Sequence, residues 1–484
     1  MQTFESTEPP APSSFTKGIR GKWVSSRIFL VLSFLLAIIY FYLASESFSR
    51  TSRKTFDEAV YHHMGVQLQV DMSAYHAIPL ALSLAPGRPI PDYLTQPLYK
   101  HPPLFSYFIL IAQILGGSTY ATSALVSAFF GAATILLVYG IGKVCYNALT
   151  GFVSAFLLAF NPIHAICGQK IWLATTLTFF MTAAVLLTLV GLKRKQPYLF
   201  LLASAAIGLA TLTKYPGILA LPLLAIPIWL SRPSKPILFG YFAIPFLFFL
   251  PWLQWNMEVY GLDLFYNNFV IHFAASYQET PLTIWLLVGF SICLFCLVIW
   301  ALNNPHIFKS LPKIRFQPPI PHGRSLLAFA IVGALIIPVM QGLSWHYFPE
   351  TSWALGFFHK EPFYFYIERM LIYSPLFLGA FLVPLWFRQQ PNSARYLFIY
   401  AYPLLIFYIL WDNFQCRYIE PVIPVMAILA AHGLVVAMGT KMVLTIGKLR
   451  IPLSVLVALV SCYAVIRMIQ FNIIFSYPNT ACYF

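Results

Sequence analysis

The chain has 484 residues, of which 59% are hydrophobic and only 9% are charged. An ordinary soluble domain carries about 25% charged residues, so this composition excludes one. The mean hydropathy is +0.74, and apolar stretches of about 17–25 residues recur along the chain, which predicts an all-α polytopic membrane protein. The net charge of +15 is better explained by Lys and Arg in cytoplasmic loops than by nucleic-acid binding.

In chain order, the sequence begins with a polar tail, residues 1–23, which is rich in Pro and Ser. The apolar run after it is too long for a signal-peptide core, so we interpret it as a first helix, with the N-terminus in the cytoplasm. A transmembrane domain follows over residues 24–472, and residues 473–484 form a short extracytoplasmic tail. The length rule predicts about thirteen spans. They lie at roughly 24–44, 119–142, 149–166, 171–191, 198–213, 217–231, 236–254, 282–301, 325–344, 370–387, 396–412, 418–438 and 451–472.

Basic residues set the predicted orientation of these spans. The run Lys193-Arg194-Lys195 and the Pro-rich basic loop at residues 303–324 fall on the cytoplasmic side, as the positive-inside rule requires. Of fifteen acidic residues, only Glu5 and Glu8 fall on that side. Acidic residues do not set orientation, so we infer that the working chemistry lies on the outer face.

The segment Pro102–Gly117 is apolar and long enough to be a short span. Counting it as one would reverse every later loop and place Lys193-Arg194-Lys195 outside. We therefore interpret it as a helix that lies along, or dips into, the outer interface. Residues 46–118 then form one large extracytoplasmic loop with interfacial helices, and this loop is the predicted catalytic loop.

Four motifs carry a resemblance to a known family. They are Phe56-Asp57-Glu58-Ala59, Leu98–Leu104 (LYKHPPL), Thr213–Gly217 (TKYPG) and Arg417–Pro424 (RYIEPVIP). Together they resemble the membrane glycosyltransferases related to protein O-mannosyltransferases and to the bacterial aminoarabinose transferases. The resemblance implies the C-type glycosyltransferase fold and inverting transfer of a sugar from a polyprenyl-phosphate donor.

Two departures from the family pattern concern catalysis and the acceptor. The family commonly carries a second acidic residue at the outer turn between the third and fourth helices, whereas Gly168–Thr176 contains none. The outer-loop pattern after the seventh helix is split into Phe265–Phe273 and His359–Ile367, with two extra spans between the parts.

Asp57 is the predicted catalytic base, as the matching Asp is in the family. A carboxylate within hydrogen-bond reach of the acceptor can take its proton. The alternative is local, because Thr55-Phe56-Asp57-Glu58 fits a capping box with Thr55 as the N-cap residue and Glu58 reaching back to it. Glu58 is named as a second catalytic candidate, although the cap explains it almost as well.

Cations are needed to stabilise the departing phosphate. The predicted donor-phosphate residues are Lys100, His101, Lys214 and Arg417. For Lys100 the alternative is a lysine that snorkels to the headgroups, and for Lys214 it is a solvated helix end. Arg417 could grip phosphate oxygens with its planar guanidinium.

Further contacts to donor or acceptor are predicted for Gln169, Lys170, His272 and His359. Gln169 and Lys170 occupy the turn from which the expected acid is absent. The histidines do not show the sequence spacing of a metal-binding motif, so no metal ligands are assigned. A divalent metal ion remains a possible cofactor.

The predicted function is a glycosyltransferase that uses a polyprenyl-phosphate sugar donor and a lipid, glycan or protein acceptor. Two alternatives stay open: a transporter or flippase of polyprenyl-linked sugars, and a catalytically silent relative that serves as a partner subunit. Transporters usually show internal symmetry and ionisable residues at mid-bilayer, and the sequence shows no internal repeat. The expected location is a bacterial plasma membrane, with the active site on the extracytoplasmic face.

Overall fold

The computed structural model describes residues 26–50, 55–83, 92–261, 365–383, 390–409, 415–438, 443–446 and 449–452, with isolated residues between 455 and 466. Predictions for residues 1–23, 303–324 and 473–484 lie outside this described part. The same holds for His272 and His359 and for the spans at 282–301 and 325–344.

The described part is a bundle of helices. The helices are α1 Ser26–Arg50, α2 Phe56–Val70, α3 Ile78–Ser83, α4 Asp92–Thr95, α5 Leu104–Gly116, α6 Tyr120–Cys145, α7 Ala148–Ala159, α8 Pro162–Gln169, α9 Ala174–Arg194, α10 Tyr198–Thr213, α11 Ala220–Leu230, α12 Lys235–Tyr260, α13 Phe365–Tyr373, α14 Leu378–Leu382, α15 Asn392–Ile409 and α16 Ile423–Met438. Short 3-10 turns cover Tyr215–Leu219, Pro375–Phe377, Cys416–Tyr418 and Glu420–Val422. One antiparallel hairpin, β1 Val443–Ile446 and β2 Leu449–Pro452, adds the sole pair of strands in the described residues.

Length and composition indicate which helices could cross a membrane. Within the described residues, five helices are long and apolar enough to cross a membrane, or six if the bent pair α7–α8 is one span. The all-α prediction is confirmed, but the total of about thirteen spans is not.

The bundle is packed around α6, α7, α9 and α16, whose facing sides are buried. Close approach is possible because small residues line the contacts. A Cβ added to Gly142 of α6 would lie 2.7 Å from the Cα of Gly151 of α7, so these two backbones touch. Large apolar side chains such as Phe239 and Leu247 of α12 remain exposed, as expected for a face turned to lipid.

The predicted span at 149–166 is bent. Helices α7 and α8 meet at an angle of 59°. Asn161 caps α8 by accepting hydrogen bonds from the backbone of Ile163 and His164, and Pro162 occupies the first helical position. Proline there cannot donate to α7, so the local sequence ends one helix and begins the next. This break brings the end of α8 to the candidate site.

Helix α5 lies within the predicted interfacial segment. It covers 13 residues, or about 20 Å at 1.5 Å per residue, which is shorter than a hydrocarbon core of about 30 Å. It packs between α2 and α6. Its length favours an interfacial position over a span, and that orientation stays a prediction.

Candidate functional site

The first turn of α2 contains the carboxylate pair Asp57 and Glu58. Thr55 is the N-cap residue, and the predicted capping box is present. The carboxylate of Glu58 accepts hydrogen bonds from the Thr55 backbone N–H at 2.6 Å and from the Thr55 hydroxyl at 2.9 Å. The helix start therefore fixes the directions in which both carboxylates leave the backbone.

Glu58 also connects α2 to the turn between α8 and α9. Its side chain is fully buried, its Oε1 accepts from the Ile171 backbone N–H at 3.3 Å, and the Lys170 ammonium lies 3.5 Å from its Oε2. Lys170 is itself buried at the end of α8. These contacts are sufficient to explain why a glutamate lies at position 58. A catalytic role for Glu58 remains a prediction.

Asp57 forms the other connection. Its carboxylate lies 2.6 Å from a terminal nitrogen of Arg417, and its side chain is 30% exposed. Arg417 lies in the 3-10 turn Cys416–Tyr418. Its guanidinium stacks over the rings of Trp172 and Tyr418, at 4.8 Å and 5.6 Å from the ring centroids. These aromatic faces and Asp57 hold the planar group in one orientation.

Two lysines complete a basic surface next to this pair. The Lys214 ammonium lies 4.0 Å from the ring centroid of Tyr418. Burial lowers the pKa of Lys214 well below its ordinary value; Arg417 and Lys100 also lower it, while Asp57 opposes the shift. Burial likewise lowers the pKa of Lys100, against the effect of Asp57. Both ammonium groups are therefore close enough to Asp57 and Arg417 to share their electrostatic field.

His101 contacts α2. Its Nδ1 lies 2.6 Å from the hydroxyl of Tyr61, one helical turn beyond Asp57, and their rings stack with centroids 6.4 Å apart. This contact fixes the segment that carries Lys100. Gln169 is the last, half-buried residue of α8.

The structure therefore gathers Asp57, Glu58, Lys100, Lys214 and Arg417, with Lys170 behind Glu58. Four basic side chains lie next to two carboxylates. This excess of basic groups suits an anionic ligand such as a phosphate, whose negative charge would also favour the protonated form of the two lysines. Among the described residues, no group of three His, Cys, Asp or Glu could hold a metal ion.

Sequence reasoning missed one buried polar pair beneath this site, His164 and Glu420. The His164 Nδ1 lies 2.6 Å from a Glu420 carboxylate oxygen, and both side chains are fully buried. An ionisable residue within an apolar run is by default a candidate functional residue. Both lie inside predicted spans, so the sequence carried the signal that could have identified them.

Comparison with known proteins gives one match in sequence. Residues 100–255 match the family model described as dolichyl-phosphate-mannose-protein mannosyltransferase. This range includes Lys100, Lys170 and Lys214 but not Asp57 or Arg417. No curated protein matches the chain significantly.

Solved structures match over most of the chain. The apo crystal structure of ArnT from Cupriavidus metallidurans has a TM-score of 0.50 and 15% identity, covering 83% of this chain and 59% of that one. The apo oligosaccharyltransferase of Archaeoglobus fulgidus has a TM-score of 0.54 and 17% identity, covering 95% and 57%. AglB from Archaeoglobus fulgidus, in complex with an inhibitory peptide and a dolichol-phosphate, has a TM-score of 0.52 and 16% identity, covering 96% and 57%.

The chain therefore spans 57–59% of the length of these structures. At such identities the likeness concerns the fold. The chain has the membrane glycosyltransferase fold of ArnT and AglB and resembles the protein O-mannosyltransferase and ArnT-like family, as its motifs predicted.

Proposed function

We propose that the chain is an inverting glycosyltransferase that moves a sugar from a polyprenyl-phosphate-linked donor to an acceptor on the extracytoplasmic face. The observation that carries this proposal is the Asp57–Arg417 pair at 2.6 Å, flanked by Lys100 and Lys214. It supports the proposal because it brings together, in one partly exposed site, a carboxylate of the kind that accepts a proton and basic side chains of the kind that bind phosphate. The dolichol-phosphate bound to AglB supports a donor of this class.

The reaction needs one displacement. The acceptor hydroxyl or amine attacks the anomeric carbon from the face opposite the phosphate, and the bond between that carbon and the phosphate oxygen breaks. Asp57 takes the acceptor proton, and the lipid phosphate leaves with the bonding electron pair. Attack and departure on opposite faces invert the anomeric centre.

Arg417, Lys214 and Lys100 bind the leaving phosphate in this proposal. Fixed cations in a site with little water stabilise charge that develops during the reaction. The guanidinium of Arg417 can contact two phosphate oxygens at once, and the ammonium groups add point charges. Glu58 holds Lys170 and the start of α2, so we assign it a supporting role.

Two observations favour other functions. The buried His164–Glu420 pair is the kind of intramembrane ionisable pair that transporters use. The turn Gly168–Thr176 lacks an acidic residue, which suits a silent partner subunit. A flippase would move a polyprenyl-linked sugar between leaflets without cleaving it, and a silent subunit would bind donor without transfer.

The test is incubation of the purified protein, in lipid nanodiscs, with a panel of radiolabelled polyprenyl-phosphate sugars and with lipid, glycan and peptide acceptors. Transfer of label to an acceptor supports the proposal. Donor movement across liposomes without cleavage would establish the transporter instead.

The cations of the site predict a loss of donor affinity on substitution. Lys100→Ala and Arg417→Ala each remove charge-assisted hydrogen bonds, which contribute roughly 1.5–3 kcal/mol. We expect donor affinity to fall on the order of tenfold or more for each. Lys193→Ala and Arg194→Ala are the matched controls, because both side chains are exposed at the far end of α9. Wild-type affinity in both site variants would reject the phosphate-binding role.

Orientation gives a separate prediction. Cys416, the neighbour of Arg417, is disulfide-bonded, and disulfides persist in oxidising compartments, which supports an extracytoplasmic site. A cysteine that replaces Asp92 should react with an impermeant thiol reagent from outside, and so should one that replaces Asn268, which lies outside the described residues. One that replaces Arg194 should not react. The parent protein is the control, since Cys462 is exposed.

Labelling at position 194 from outside would reverse the topology. It would require the segment Pro102–Gly117 to be counted as a span, despite its length.

A further inference from the structure

We propose that the buried pair His164–Glu420 is a positioning node that sets two cations, Arg417 and Lys170, against the two carboxylates of α2. The inference rests on the proposed function, because its consequence is measured at the proposed donor site. Neither residue reaches that site directly. Both act through the backbone segments that carry the cations.

The hydrogen bonds of the pair determine where its protons lie. The Nε2 of His164 is 3.1 Å from the backbone carbonyl of Gly131. A carbonyl can only accept, so Nε2 carries a proton and donates it. The Nδ1 is 2.6 Å from the Glu420 carboxylate, and this bond needs a second proton. Whether that proton lies on nitrogen or on oxygen, the pair as a whole is neutral.

Neighbouring side chains supply further hydrogen bonds and a ring contact to the pair His164–Glu420. Thr178 of α9 donates its hydroxyl to the other oxygen of Glu420. Tyr40 of α1 stacks on the His164 ring, with centroids 5.0 Å apart, and donates its hydroxyl to the His164 backbone carbonyl at 2.7 Å. Residues from α1, α6, α8, α9 and the turn Glu420–Val422 therefore meet at one point.

From this point two short segments lead to the site. Glu420 follows Arg417 by three residues, across two consecutive 3-10 turns. His164 lies on α8, which ends at Gln169, directly before Lys170. A shift of the node would therefore move the partner of Asp57 and the partner of Glu58 together.

Stability alone gives a weak reason for such a pair. Replacing a buried ion pair by apolar residues of similar volume is often neutral or stabilising, whereas a hydrogen-bonded pair defines one geometry. The hydrogen bond between His164 of α8 and Glu420 has a defined direction, so it fixes the positions of Lys170 and Arg417. Apolar packing between the same segments would allow more variation in those positions.

The test uses undecaprenyl phosphate as the probe, with its affinity measured on purified protein in nanodiscs. Glu420→Ala leaves His164 without its partner, and we expect affinity to fall on the order of tenfold, as for loss of a charged hydrogen bond at the site itself. Glu420→Gln should bind nearly as wild type, because its amide can donate to Nδ1 and its carbonyl can accept from Thr178. His164→Phe keeps the stacked ring but neither hydrogen bond, and it tests the same point if Glu420→Ala does not fold.

The matched control is Ser204→Ala. Ser204 is buried and donates to the backbone of Tyr241, so it joins α10 to α12 without contacting the node. Its loss should lower the thermal unfolding midpoint but leave probe affinity unchanged. If Glu420→Ala also loses only thermal stability, the node is packing alone and the inference is wrong.

A double-mutant cycle with Arg417→Ala separates positioning from general damage. If Glu420 acts by placing Arg417, the double variant should lose about as much affinity as Arg417→Ala alone, and much less than the roughly hundredfold loss expected from independent sites. If the affinity losses of Glu420→Ala and Arg417→Ala add up in the double variant, the inference is wrong. It is also wrong if Glu420→Gln binds the probe as weakly as Glu420→Ala, because the charge of Glu420 rather than its hydrogen bonds would then matter. If the wild-type protein does not bind the probe, the proposed donor site itself is wrong. If the wild-type protein binds the probe and the variants at His164 and Glu420 bind it equally well, only the positioning role is wrong.

Discussion

Replacing Asp57 with asparagine is expected to abolish most sugar transfer while the protein stays folded and binds its donor. Asparagine keeps the size of the side chain and an oxygen that accepts from Arg417, but it does not take up the acceptor proton. A positioned base contributes about 10²–10⁴-fold to rate, so the turnover number should fall by that factor. The measurement is initial transfer rate at saturating donor, together with donor affinity and the thermal unfolding midpoint.

Asp71→Asn is the matched control. Asp71 ends the same helix, α2, but is exposed, and its carboxylate accepts from the backbone and hydroxyl of Ser73. This variant should transfer sugar at the wild-type rate. If Asp57→Asn also does so, the carboxylate at position 57 serves only to hold Arg417, and the base must be sought elsewhere.

Removing the Glu58 carboxylate should cost more stability than any other single change at the site. Glu58→Ala deletes the acceptor for Thr55 and Ile171 and leaves the Lys170 ammonium buried without its counter-charge. Breaking a buried ion pair by removing one partner costs about 3–5 kcal/mol. We expect a loss of that order in the free energy of unfolding, measured by denaturant titration in detergent. Glu258→Ala is the control, because that carboxylate is exposed and substitutions at exposed positions usually change the free energy of unfolding by about 0.5 kcal/mol or less.

Glu58→Gln distinguishes the structural from the catalytic role of this residue. Glutamine can still accept from Thr55 and close the capping box, although it no longer neutralises Lys170. A supporting Glu58 therefore predicts reduced stability with substantial transfer in the molecules that remain folded. Loss of transfer comparable to that of Asp57→Asn, in folded protein with normal donor affinity, would instead make Glu58 a catalytic residue.

Local signals predicted the start of α2 well. The capping box needs only residues 55–58, because its geometry is set by the first turn of a helix. The gathering of Lys100, Lys214 and Arg417 near Asp57 was expected from the family resemblance and from their predicted place on the outer side of the membrane. The specific Arg417–Asp57 contact joins residues 360 positions apart, and it depends on how the helices pack. That contact has no local signature.

Two features were missed for different reasons. The bend between α7 and α8 could have been predicted, because Asn161-Pro162 is a strong signal for the end of one helix and the start of another. It was missed because the hydropathy of the span is averaged over a window that includes the break. Each residue of the His164–Glu420 pair could have been singled out as an ionisable residue in an apolar run, but no local feature of the sequence indicates that the two residues pair with each other. Only the packing of α8 against the turn Glu420–Val422 shows that the two residues compensate each other.

The contact between Lys170 and Glu58 constrains how this sequence can diverge. A carboxylate at position 170 would face the buried Glu58 carboxylate, and two such groups in close proximity cannot both stay ionised without compensation. An acidic substitution there therefore needs compensation, which can come from protonation of one carboxylate, from a neutral residue at position 58 or from a cation between the two carboxylates. A divalent ion coordinated by both carboxylates would be one such cation. In this chain the ammonium of Lys170 already has that electrostatic role, so a change of charge at position 58 or 170 alters the charge balance at the other position.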